Sequence, residues 1–73
     1  TIVRPGGLKE AAPEGQIRYG KADTIFGGSI SRYSVAEVCV AALTSKSASN
    51  KVVEIVAEPD ATKVSIEQGF ASV

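Results

Sequence analysis

No histidine and no tryptophan occur among the 73 residues, and cysteine occurs once. Without histidine a Ser-His-Asp or Cys-His nucleophile set cannot be assembled, and Cys/His metal clusters are excluded with it. The single cysteine, Cys39, forms no disulfide within the chain. It stands in an apolar run and is read as a small core residue of a reducing compartment. Disulfides and a structural metal, the usual supports of small folds, are thus both missing, and a chain this short buries only roughly 60% of its unfolded surface. An excess of charge is lacking as well: eight Lys and Arg balance eight Asp and Glu. No run of like charge steers the chain toward nucleic acid or an anionic membrane. No apolar stretch approaches the ~20 residues of a membrane span.

What is present is ordinary globular material, with 44% hydrophobic residues, too many for a disordered segment. Thr1-Ile2-Val3-Arg4 is short and β-branched, and Pro5-Gly6-Gly7 stops it abruptly. The chain enters directly on this strand, with no leader-like segment ahead of it, so residues 1–73 are expected to be a piece of a longer protein. Leu8 to Gly15 reads as a loop, Gln16 to Gly20 as a short exposed strand, Lys21 to Ser29 as a turn-rich loop and Ile30 as a further minor strand.

The clearest local signal is Ser34-Val35-Ala36-Glu37, which matches a capping box, with Tyr33 and Val38 at the positions of a hydrophobic staple. Val35, Val38, Cys39, Ala42 and Leu43 follow at helical spacing as one apolar stripe. The spacing predicts a helix from about Val35 to about Thr44, ended by the polar run to Asn50. Lys51 to Ala57 is nearly continuous in apolar character, with only Glu54 intervening, and reads as a strand buried on both faces of a parallel sheet. Beyond Pro59, a short last helix with Ser65 as its cap fits the tail, although Gly69 counts against it. The order is strand, long loop with minor strands, helix, strand. It is an α/β arrangement that leaves most of its sheet uncovered.

Chemistry is sparse. Neither G-x-x-x-x-G-K-[ST] nor G-x-G-x-x-G is present, and Gly27-Gly28 is read as loop chemistry. Glu10, Glu14, Asp23, Glu54, Glu58, Asp60 and Glu67 form no readable pair and are assigned to solvated surface, Glu37 to the capping box. Arg4-Pro5-Gly6-Gly7 differs, because it ends an apparently buried parallel strand at the side where open α/β sheets bind ligands. Proline removes an amide donor, and the glycines let backbone approach a flat ligand. A plain strand-ending turn is the other reading.

Four segments in this order, Thr1 to Leu8, Asp23 to Arg32, Val35 to Val38 and Lys51 to Val56, resemble the NAD(P)-binding, NmrA-like group of atypical short-chain dehydrogenases/reductases, its plastid and cyanobacterial members above all. The resemblance covers nearly the whole chain to about Ala57. It implies that residues 1–73 are the C-terminal part of one Rossmann-like domain, with the opening and final strands at one end of a parallel sheet. It further implies that Pro5, Gly6 and Gly7 frame the nicotinamide end of NADP or NAD, and that Ser31 and Arg32 enter the late helix on the substrate side. There Arg32 either binds an acidic group or fixes the loop by a salt bridge. The glycine fingerprint and the Tyr-x-x-x-Lys pair of ordinary members lie upstream of this region, so no catalytic residue is assigned here.

The resemblance therefore points to the substrate-side portion of an NAD(P)-binding oxidoreductase-like protein of the chloroplast, inactive alone, with the rest of its own domain as first partner. A non-enzymatic scaffold or redox sensor, joined to other subunits of a plastid complex, is the alternative. An independent interaction module is disfavoured by size. Bulky substitution at Gly6 is expected to weaken cofactor binding more than stability.

Overall fold

A computed structural model describes residues 1–73. In chain order it contains β1 (Ile2–Pro5), β2 (Gly7–Lys9), β3 (Gln16–Lys21), β4 (Ser29–Ser31), α1 (Arg32–Ala42), a 3-10 turn (Lys46–Ala48), β5 (Val52–Glu58) and α2 (Ile66–Ala71). All five strands join one sheet organised around β5. β1 runs parallel to it, from Ile2 opposite Val52 to Pro5 opposite Ile55. β3 runs antiparallel, from Gln16 opposite Glu58 to Lys21 opposite Val53. Residues 53–55 pair with both, so β1 and β3 flank β5 on opposite edges. Past the end of β1, β4 meets β5 at Ser29–Ala57 and carries β2 parallel to itself.

This is the expected α/β fold with its parallel pair of opening and final strands. The segment read as a short exposed strand is instead a six-residue antiparallel neighbour of β5, with Ile17 and Tyr19 half-buried against the core. Alternation of polar and apolar residues is what a strand with one covered face requires.

Ile30, Val38, Ala48, Val53, Ile55 and Phe70 form the core cluster. α2 supplies Phe70, fully buried, whose ring meets Tyr19 edge-on at 6.2 Å between centroids. Its start follows the local signal. The Ser65 hydroxyl accepts from the Gln68 amide at 3.1 Å while the Gln68 side chain accepts from the Ser65 amide at 3.0 Å. Gly69 does not break this helix because a packing demand explains it: a Cβ there would run into the Tyr19 ring.

α1 corrects the expectation for its own start. It begins at Arg32, three residues early, and Ser31 is the N-cap, with its hydroxyl accepting from the Tyr33 amide at 3.2 Å. Ser34 lies inside the helix and is buried, and Glu37 is exposed, so the Ser34–Glu37 box is not formed. The staple positions shift with the cap, to Ile30 and Val35, and both contribute to the core. The physical reason is tertiary: pairing of β4 with β2 and burial of Ile30 fix where the chain leaves the sheet, and the helix starts there.

The apolar stripe of α1 is only partly covered. Val38 is buried and Val35 and Ala42 are half-buried, whereas Leu43 is 84% exposed. Cys39 is exposed too, and the core assignment made for it does not hold. The stripe is wider than the surface that β1, β4 and α2 offer beneath it. β1 is likewise more open than a buried strand, with Ile2 exposed and no strand on its outer edge.

Candidate functional site

Proline cannot extend a strand ladder beyond its own carbonyl, so β1 ends at Pro5, opposite Ile55, and the chain leaves the β5 ladder there. The Gly6 amide donates to the Ile55 carbonyl at 2.9 Å and the Gly7 amide to the Gly28 carbonyl at 3.1 Å. These bonds bring the Pro5–Gly7 turn against the Gly27–Gly28 loop. Together with Arg4, Ile25 and Val56 they enclose a cleft of about 260 Å³ at the C-terminal end of the parallel pair.

The glycines divide the work. A Cβ on Gly6 would lie 2.7 Å from Val56 Cγ1 and 2.9 Å from the Gly28 carbonyl oxygen, so this residue serves close approach of two backbones. A bulky side chain there disturbs the fold itself, so the expectation that it weakens cofactor binding more than stability is not kept for Gly6. Gly28 has φ +95, a conformation that L side chains rarely adopt. Gly7 and Gly27 are different. A Cβ on Gly7 makes only ordinary contacts, the nearest at 3.6 Å, and one on Gly27 meets nothing within 4 Å. These two leave bare backbone along the cleft, which suits the face of a planar ring. The volume lies below the roughly 300–1,000 Å³ of a pocket for a whole drug-sized ligand. The cleft therefore has room for one planar ring and not for a larger ligand.

Glu54 departs from the expectation of a solvated surface carboxylate: it is buried in the middle of β5. Its side chain accepts from the amides of Asp23 at 2.9 Å, Thr24 at 3.1 Å and Ile25 at 2.8 Å. Arg4 Nη2 lies 3.3 Å from the same carboxylate and 3.2 Å from that of Asp23. The Ile25 and Asp23 amides, assisted by Thr24 and Arg4, hold the Glu54 carboxyl below its ordinary range. A usable signal existed: a lone charge within Val52–Val56 has to find donors if the strand is buried.

A second cleft, of about 250 Å³, opens at the other end of the β2–β4 pair, between Lys9, Ala11, Glu14 and Ser31. Ser31 is 5% exposed, and its hydroxyl donates to the Ala11 carbonyl at 2.9 Å as well as capping α1. Arg32 is exposed, lines neither cleft and takes part in none of the ion pairs. The structure thus brings Pro5, Gly6 and Gly7 together at one cleft and Ser31 to the next, and leaves Arg32 outside both.

A chloroplastic protein of Arabidopsis thaliana, itself uncharacterized, is 55% identical over all 73 residues, which are 100% of this chain and 26% of that protein. The chain therefore spans about a quarter of that relative's length. No solved structure matches it. A family model described as NAD(P)H-binding matches residues 1–46, from β1 through the Pro5–Gly7 turn, the Gly27–Gly28 loop and α1 to the start of the 3-10 turn. With the greater part of its residues matched, the chain belongs to the NAD(P)H-binding family.

Proposed function

We propose that this chain is the C-terminal, substrate-side part of an NAD(P)-dependent oxidoreductase-like protein of the atypical short-chain dehydrogenase, NmrA-like type, acting in the chloroplast. The observation that carries the reading is the ring-sized cleft at the C-terminal end of the parallel β1–β5 pair, within the span that matches the NAD(P)H-binding family. In this reading Pro5, Gly6 and Gly7 frame the nicotinamide end of NADP or NAD. Ser31 and Arg32 stand on the substrate side, Ser31 through the neighbouring cleft. The bound cofactor supplies hydride chemistry. The chain's own part is to present bare backbone to the ring and to keep the turn rigid through the Gly6 and Gly7 amide bonds.

The relative's chloroplast location and its greater length support the plastid setting and a parent protein of which this is one segment. The open flank of β1 and the uncovered stripe of α1 are consistent with further strands and helices of the same domain packing there. Isothermal titration of NADP and NAD against the parent protein tests the proposal. Gly7→Val, whose Cβ would make only ordinary contacts in the fold, should weaken dinucleotide binding at least tenfold while changing thermal stability little. Unchanged affinity would remove this turn from the pocket and favour a scaffold role. Binding of either dinucleotide by residues 1–73 alone, as tightly as by the parent, would overturn the segment reading, because the pyrophosphate is held at a glycine turn and helix N-terminus that this chain does not contain.

A further inference from the structure

A buried carboxylate is costly unless donors surround its charged form. Glu54 meets that condition in an asymmetric way: three of its partners lie on one loop, and the fourth, Arg4, stands opposite it on the neighbouring strand β1. Oε1 accepts from the Thr24 and Ile25 amides, and Oε2 accepts from the Asp23 amide and faces Arg4. Three consecutive amides converge on one anion, the arrangement of a backbone nest. Asp23 takes a left-handed backbone conformation, φ 62, at the first of them. Three amides and the Arg4 guanidinium around its two oxygens hold the carboxylate in its charged form.

The loop so held is also a wall of the first cleft. Its near end, Asp23 to Ile25, is bound to Glu54, and its far end, Gly27–Gly28, accepts the Gly7 amide bond and rests on Val56. Ile25 lies between the two and lines the cleft. The cleft's opposite wall, the Pro5–Gly7 turn, grows from the strand that supplies Arg4. One ion cluster therefore ties both walls to the centre of β5.

We infer that Glu54 is a positioning residue for the nicotinamide end of the cofactor: bound to the Asp23–Ile25 amides and Arg4, it holds the loop of residues 22–28 against the Pro5–Gly7 turn and sets the width of the cleft. This rests on the reading of that cleft given above. Misplacement of a binding wall by about 1 Å is enough to cost orders of magnitude in positioning, so the effect should be selective for the ring.

The test compares, in the parent protein, the intact dinucleotides with ADP-ribose and its 2′-phosphate, which lack nicotinamide. Glu54→Gln keeps size but turns an amide group toward amide donors. It should weaken binding of the dinucleotide about tenfold or more, leave the nicotinamide-free probe within about twofold, and speed hydrogen exchange at Asp23, Thr24 and Ile25. Arg4→Gln, on an exposed side chain, should shift the same ratio in the same direction by less, and it serves if Glu54→Gln does not fold. Equal weakening of both probes would overturn the proposal and make the cluster a support of the fold alone, as would unchanged exchange of the three amides. Gly7→Val in the same assay separates the two readings. If it changes the ratio and Glu54→Gln does not, the cleft stands and the positioning role falls. If neither changes it, the cleft reading falls and the positioning role with it.

Discussion

On the β3 flank of β5, Ile17 and Tyr19 pack against a core that α2 closes with Phe70, which is fully buried. On the β1 flank, Ile2 is 59% exposed, Val40 66% and Leu43 84%, although these residues are as apolar as those opposite. The two flanks differ in completion rather than in composition. The β3 flank is finished by residues within the chain, because the antiparallel strand and the last helix return to the same sheet. β1 and β3 both leave their outer edges unpaired, and the β1 flank adds a half-covered helix, a feature that a larger fold absorbs and an isolated one exposes to association. The cleft sits where the finished and unfinished parts meet, at the turn leaving β1.

Several measurements would break or sharpen this contrast. The largest effect is expected from excision. Residues 1–73 alone should lose their circular dichroism gradually in urea, and a sharp two-state transition in a monomer would show that the β1 flank needs nothing more. Next is Phe70→Ala, which should cost the parent about 3–5 kcal/mol in urea unfolding, the usual range for removing a buried aromatic ring. Leu43→Ala probes the other flank. Exposed in this chain, it should nevertheless cost the parent about 2–5 kcal/mol if that flank is covered there. A change within about 0.5 kcal/mol, typical of free surface, would leave α1 facing solvent.

Smaller effects concern local details. Ser31→Ala should cost about 1 kcal/mol, since the first turn of α1 loses its acceptor, whereas Ser34→Ala removes no cap. The reverse order in thermal unfolding would restore the Ser34–Glu37 box. The smallest expected change is in the acid limb. Glu54 lies below the usual carboxylate range because of the Ile25 and Asp23 amides, and Glu67 because of the Ser45 and Ser47 hydroxyls. With depressed folded-state values, their stabilisation is fully present above the ordinary glutamate pKa of about 4.3. It is lost as pH falls through the depressed values, since the unfolded chain binds protons more readily there. Glu54→Gln should therefore flatten the fall in urea midpoint below about pH 4.3, and a slope equal to that of the unmodified protein would contradict the assignment.

Local sequence was sufficient wherever a feature is decided by neighbours along the chain. Pro5-Gly6-Gly7 ends β1 because proline removes the next ladder donor, the apolar run 52–56 makes a strand, and Ser65 with Gln68 closes a box around one helix turn. The same type of box at Ser34 and Glu37 failed, because the entry into α1 is set by β4 and its buried Ile30. That information lies in a partner strand more than twenty residues away. Burial of Cys39 was misjudged for a related reason: helical spacing defines a stripe but not how much of it the fold covers. Tertiary structure alone decided that Glu54, alone among apolar neighbours, would be clamped by amides from residues 23–25, and that Gly6 would face Val56 and Gly28. Both depend on contacts between segments far apart in sequence, which residue type constrains only by the rule that a buried charge must find donors and that two backbones meet closely only where a Cβ is missing.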